Sequence, residues 1–144
     1  MSANLYETDH AAWLERQTTL LKGGRLAELD IEHLAEELEW AMGNERREIY
    51  KGLRILMVHL LKWQHQPAQR SASWAGTIRV QRKDLGKLLK DNPSLRRYLA
   101  TEALDAYADA VELASFETGI PEADFPAANP YGLDALLDKD FWPD

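Results

Sequence analysis

Between His59 and Trp74 the chain reads HLLKWQHQPAQRSASW. Two histidines, two tryptophans, three glutamines, a lysine and an arginine crowd around a single proline. Such a stretch is an active site, a docking surface or a hydrogen-bonded turn between two helices. Past Pro67 a new helix must start at Ser71 or Ser73. Its first amide N–H groups lack intrahelical acceptors, and the helix dipole adds partial positive charge there. With Arg70 just before that start, the arrangement is a weak anion site, helped by Lys62 or Arg82 if the fold brings them close. The simpler alternative is that a serine hydroxyl caps the helix and Arg70 pairs with an acidic residue farther along. Gln81 falls in the apolar stripe of the helix that follows, and a buried glutamine needs partners. Gln64, Gln66, Arg70, Ser71 and Ser73 are able to supply them, under a cover of Trp63 facing Trp74. The candidate binding residues are therefore Lys62, Gln64, Arg70, Ser71, Ser73, Gln81 and Arg82.

Other chemistry finds less support. The histidines are His10, His33, His59 and His65, and no two have the spacing of a helical metal pair. His59 and His65 point to different sides of one helix. His33 and Glu37 are one turn apart, but two ligands do not make a site, and no metal is expected. His59, among Ile55, Leu56 and Trp63, reads as a core histidine bonded to a backbone carbonyl rather than a general base, since no nucleophile stands at a useful spacing. The phosphate-binding P-loop pattern and the serine elbow are absent, and no cofactor is expected. Arg54, Arg79, Arg82 and Lys83 do not line one recognition face, which counts against a DNA-reading helix.

The elements that would position this corner are helical throughout. A first helix is predicted from about Thr8 to Lys22, stopped by Gly23-Gly24, with Trp13, Gln17, Leu20 and Leu21 at helical spacing. Asp30 caps the next, whose stripe runs through Ile31, Leu34, Leu38 and Met42 and continues in phase through Ile49, Leu53, Leu56, Leu60 and Trp63. Phase argues for one helix to Gln66. Its length, roughly 55 Å, argues for a break at Gly43-Asn44. A third helix carries Trp74, Ile78, Leu85, Leu88 and Leu89. Asn92 is placed as an N-cap with Pro93 at the first helical position. The fourth places Leu95, Leu99, Ala103, Ala106, Ala110 and Leu113 inward and ends at Gly119. Residues 119–144 hold four of the six prolines, with Phe125, Tyr131, Phe141 and Trp142. They read as a strap over the bundle with a short helix near Leu133–Asp138.

The 144 residues suit one domain, and a hydrophobic fraction of 45% with 28% charged residues is an ordinary globular composition. There is no cysteine, and disulfides and thiolate metal sites are excluded. No signal peptide and no membrane-spanning run is recognisable, which places the protein in the cytoplasm. The net charge of −7 hides an asymmetry: residues 51–100 hold 11 Lys or Arg against 2 Asp or Glu. The flanks are acidic, with 5 against 11 in residues 1–50 and 1 against 11 in residues 101–144. Either the segments neutralise one another or the middle is a basic face for an acidic partner.

The stretches LYETDHAAWLE, LDIEHLAEELE, HLLKWQHQPAQRSASW, TIRVQR, PSLRRYL, AYADAVELASFETGIP and NPYGLDALLDKDFWP, in that order, resemble a bacterial family, the domain of unknown function 29 family. Its H-L-L-K-W-Q-x-Q-P and R-S-x-S-W patterns fall on His59–Pro67 and Arg70–Trp74. An aromatic is more usual where His65 stands, which argues against catalysis by His65. The resemblance implies an all-helical domain and carries no activity, cofactor or catalytic residue. The sequence reading is thus an all-α, antiparallel bundle of four to five main helices with a C-terminal aromatic, proline-rich strap. The expected function is a binding or adaptor module using the polar-basic corner at residues 62–82 for an unidentified protein or anionic partner. The alternatives are a small enzyme on an anionic or nucleic-acid substrate at the same corner, and a DNA-contacting regulator.

Overall fold

The computed structural model describes residues 5–144, and no strand occurs among them. Six α-helices follow in order: α1 Leu5–Thr8, α2 His10–Lys22, α3 Ile31–His65, α4 Ala72–Asp91, α5 Leu99–Thr118 and α6 Leu133–Leu137. The all-α reading holds, with four long helices. The expected break does not occur, because α3 passes through Gly43-Asn44 without interruption. A glycine inside a helix costs only about 1 kcal/mol. A break would expose up to about four amides and four carbonyls at the new ends, a larger penalty. The residues that looked like a stop instead mark a change of packing: the chain divides there into two units, Met1–Gly43 and Asn44–Asp144. The length argument fails because it assumed that the whole helix belongs to one compact body.

In the first unit, Asp9 caps α2 by accepting the Ala12 N–H at 3.1 Å. Trp13, Gln17 and Leu20 turn inward, whereas Leu21 stays exposed. The far end closes with Gly24 at φ +70, where a side chain would be strained. Its N–H donates to the Leu21 carbonyl and that of Arg25 to the Leu20 carbonyl, the paired bonds of a Schellman stop.

The second unit is a three-helix bundle with a packed tail. Cross-links give its directions. Arg46 meets Glu102, Tyr50 meets Asp109 and Lys62 meets Glu117, so α5 runs parallel to this part of α3. Lys62 lies over Trp74, and Gly52 abuts Leu85, so α4 runs antiparallel to both. Ile49, Leu53, Leu56, Leu60 and Leu61 of α3 join Ile78, Leu85 and Leu89 of α4 and the alanines of α5 in one core. On α5 the inward residue of the last turns is Ala114, and the larger Leu113 is left partly exposed. Asn92 does not cap the following turn. Its side chain donates to the Leu88 carbonyl and closes the end of α4 instead. Past Gly119, at φ +78, the tail buries Phe125, Tyr131 and Leu136 in the same core. Each such burial is worth about 1.5–3 kcal/mol, enough to hold an irregular segment in place.

Candidate functional site

The corner at residues 62–74 is built where α3 ends and α4 begins. Pro67 opens a short 3-10 turn, and Ser71 caps α4 by accepting the Trp74 N–H at 3.2 Å. Ser73 is exposed in the first turn of α4. Arg70 folds back: its Nε donates to the Trp63 carbonyl at 2.8 Å and its guanidinium lies over the Trp63 ring at 5.0 Å. It takes no carboxylate partner from α5 or the tail among the described residues. Lys62 is 3.3 Å from Glu117 and 5.0 Å from the Trp74 ring. Gln64 accepts the Tyr131 hydroxyl at 2.9 Å. Trp63 packs on Trp142 at 4.8 Å, and no Trp63–Trp74 ring contact occurs among the described residues. His59 Nδ1–H donates to the Ile55 carbonyl at 2.8 Å. The corner is therefore occupied by its own neighbours, chiefly the tail.

The polar residue buried on α4 is Arg82, not Gln81. Gln81 is half-buried and lines a groove between α3 and α4, away from the corner. A one-residue displacement of the stripe, about 100° around a helix, separates the two. Arg82 is 5% exposed. Its Nε donates to the Leu136 carbonyl at 2.9 Å and its Nη2 to the Ala135 carbonyl at 3.2 Å, so one guanidinium closes the C-terminal end of α6. Burial pushes the guanidinium below its ordinary value, and the Asp138 carboxylate offsets part of that. Its Nη1 is buried with no acceptor among the described residues.

Beside Arg82 a cleft of about 650 Å³ opens between α4 and the tail. Arg79, Lys83 and Gly86 line one wall at successive turns of α4; Leu137, Lys139, Asp140 and Trp142 line the other. Arg79 and Arg82 lie 5.7 and 5.8 Å from the Trp142 ring. Among the described residues no carboxylate lies within ion-pair distance of Arg79, Lys83 or Lys139. Asp140 is the only acid lining the cleft against four cations. The α3–α4 groove differs: its Lys51 and Lys87 are matched by Glu48, Asp84 and Asp91. Of the seven residues singled out in the sequence, the structure places only Arg82 at the cationic cleft. Arg79 and Lys83 were visible as basic residues, but Lys139 and Trp142 reach the cleft through the packing of the tail.

A second polar cluster lies in the first unit. Asp30 Oδ2 accepts Trp13 Nε1–H at 3.0 Å and His33 Nδ1–H at 2.6 Å, while its backbone N–H donates to Gln17 Oε1 at 2.8 Å. Glu37 accepts the Tyr6 hydroxyl at 2.8 Å and meets His10 Nε2 at 2.6 Å. Tyr6 stacks on His33 at 4.0 Å. The hydrogen bond to Glu37 pushes the Tyr6 hydroxyl up to about 12. The bond to Asp30 raises His33. Desolvation works to raise Asp30, but hydrogen bonds from His33 and Trp13 outweigh it and hold the carboxyl low. His33 and Glu37 thus take different partners. The spacing of Tyr6, His10 and Trp13, four and then three residues apart, was the signal that could have found this cluster. No group of three or more His, Asp or Glu side chains among the described residues is arranged to hold a metal, and no helix is long and apolar enough to cross a membrane.

A helical bundle latched by its own tail, with one cation-lined cleft, defines an architecture rather than an activity. The family model described as Domain of unknown function DUF29 matches residues 5–142, and the chain belongs to that family. No curated protein and no solved structure matched it.

Proposed function

We propose that the protein is a binding module whose working surface is the cleft between α4 and the tail, and that its partner presents an anionic group there. The supporting observation is the convergence of Arg79, Lys83 and Lys139, none held by an acid, on a cleft that also exposes part of Trp142. In a chain with a net charge of −7, a cleft lined by four cations and one acid is a place where an anion gains attraction. The buried Nη1 of Arg82 adds a donor that lacks a protein acceptor beside the same cleft. Relative to the sequence reading, which took residues 62–82, this reading keeps Arg82 and adds Arg79, Lys83 and Lys139, because Lys62, Gln64 and Arg70 are engaged by Glu117, Tyr131 and Trp63.

The test is an amide-detected titration with pyrophosphate at low salt, where exposed charge is least screened. Shifts should cluster at residues 79–86 and 137–142, fade on addition of salt, and vanish in a Lys83→Glu, Lys139→Glu variant. Shifts that spread evenly over the chain, or none at about 20 mM, a level far above a useful Kd, would remove the reading.

A further inference from the structure

The first unit leaves apolar side chains in the open. On α3, Ile31 is 70% exposed, Leu38 68% and Met42 66%. These residues lie on one line along the helix, with the small Ala35 between them, over about three turns or roughly 16 Å. The same line continues beyond Gly43 into Ile49 and Leu53, which are fully buried. A stripe that is core-forming in one half of a helix and bare in the other is an unfilled packing surface. One edge of it is acidic: Glu32, Glu36 and Glu39 follow one another at successive turns, all exposed. Among the described residues none of the three has a cation within ion-pair distance. The opposite edge carries Leu34 and Ala41 with Glu37, whose carboxylate is already taken by the Tyr6 hydroxyl and His10.

We infer that this stripe docks a basic amphipathic helix from another protein, with leucine-type anchors facing Ile31, Leu38 and Met42 and lysine or arginine along one edge only. Charge selects this occupant. Residues 1–43 hold nine Asp or Glu and three Lys or Arg, so a second copy laid on the same face would bring like charges together. A cationic helix instead pairs with the Glu32–Glu39 edge while its apolar side fills the stripe. Ala35 lets a partner helix approach to the usual interaxial distance of about 8–10 Å. The inference is independent of the cationic cleft, which lies in the other unit and has the opposite charge.

The experiment uses the full chain and a fluorescently labelled amphipathic peptide of about 18 residues, long enough to cover the stripe, with leucines on one face and lysines along one edge. A control peptide has glutamine at each lysine. Anisotropy should give a Kd of about 10–100 μM for the basic peptide and at least about tenfold weaker binding for the control. Glu32→Gln with Glu39→Gln should produce the same loss. Leu38→Glu should abolish binding with unchanged circular dichroism, since that side chain is already in solvent. Lys83→Glu, Lys139→Glu should leave peptide binding intact, which separates this surface from the cleft. Equal binding of both peptides, or no binding at about 1 mM, overturns the inference. So does a dimer in sedimentation that Leu38→Glu dissolves, because the occupant is then a second copy.

Discussion

A buried guanidinium is costly unless its N–H groups find acceptors. Arg82 meets that condition at Nε and Nη2, through the Leu136 and Ala135 carbonyls, though not at Nη1, and in doing so ties the tail to α4. Removing it leaves those carbonyls unpaired and empties the space filled by its aliphatic stem. Arg82→Ala is therefore expected to destabilise the protein by about 2–4 kcal/mol. Arg82→Met keeps most of the volume and should cost roughly half as much. Urea unfolding checks both, and an alanine variant within about 0.5 kcal/mol of the parent would show that the guanidinium does not hold the tail. Arg70 is the contrasting case. It rests on the Trp63 ring and carbonyl at a half-buried position, so solvent replaces most of what its loss removes.

At the scale of elements, the close approach of α3 and α4 depends on Gly52. A Cβ built there would stand 2.9 Å from Leu85 Cδ2 and 3.1 Å from Leu85 Cγ, inside ordinary contact. Leu85 is buried and cannot swing into solvent to make room. Gly52→Ala gains helix propensity of about 1 kcal/mol, but overpacking in a closed core costs about 1–3 kcal/mol. The net expectation is a loss of about 1 kcal/mol, read as a lower urea midpoint with unchanged slope. Recovery in the double variant Gly52→Ala, Leu85→Ala would assign the loss to this one contact; a stabilised single variant would mean that the helices part without cost.

Across the whole molecule the burial is uneven. The second unit encloses a continuous core from Ile49 to Leu136, whereas among the described residues of the first only Trp13, Gln17 and Leu20 are buried. Opening free energies follow buried contacts, so amides of α2 should exchange with solvent faster than those of α4 and α5. That difference should depend on pH. His33 is raised above its ordinary 6.5, so its contribution is complete below that value and is lost as pH rises through the folded value. Glu37 is held below 4.5 by hydrogen bonds from His10 and Tyr6, and Asp30 below 3.8. Their contributions are present above those values and are lost as pH falls through the folded ones. Protection of α2 relative to α5 should thus be greatest at about pH 5–6 and decline a few-fold toward pH 9. Equal protection in the two helices, or a ratio flat with pH, would show that the Asp30–His33 and Glu37 clusters do not hold the unit.

What the sequence by itself determined is the set of local decisions. Pro67, Gly23-Gly24 and Gly119 act through backbone geometry within a few residues, so the stops they imply appear where they stand, and of the two serines offered as a cap Ser71 takes the role. The apolar period likewise identified the α3, α4 and α5 stripes, and the aromatic tail as a packed strap. What only the tertiary structure decided is which polar group meets which. Arg82 and Gln81 differ by one position, and choosing between them needs the tail's carbonyls in place. Lys139 and Trp142 join Arg79 and Lys83 although the chain separates them by more than fifty residues. Equally, the stripe from Ile31 to Met42 has the same period as the one from Ile49 to Leu60, yet one is bare and the other buried. Periodicity specifies a face, and burial depends on whether another element arrives to cover it.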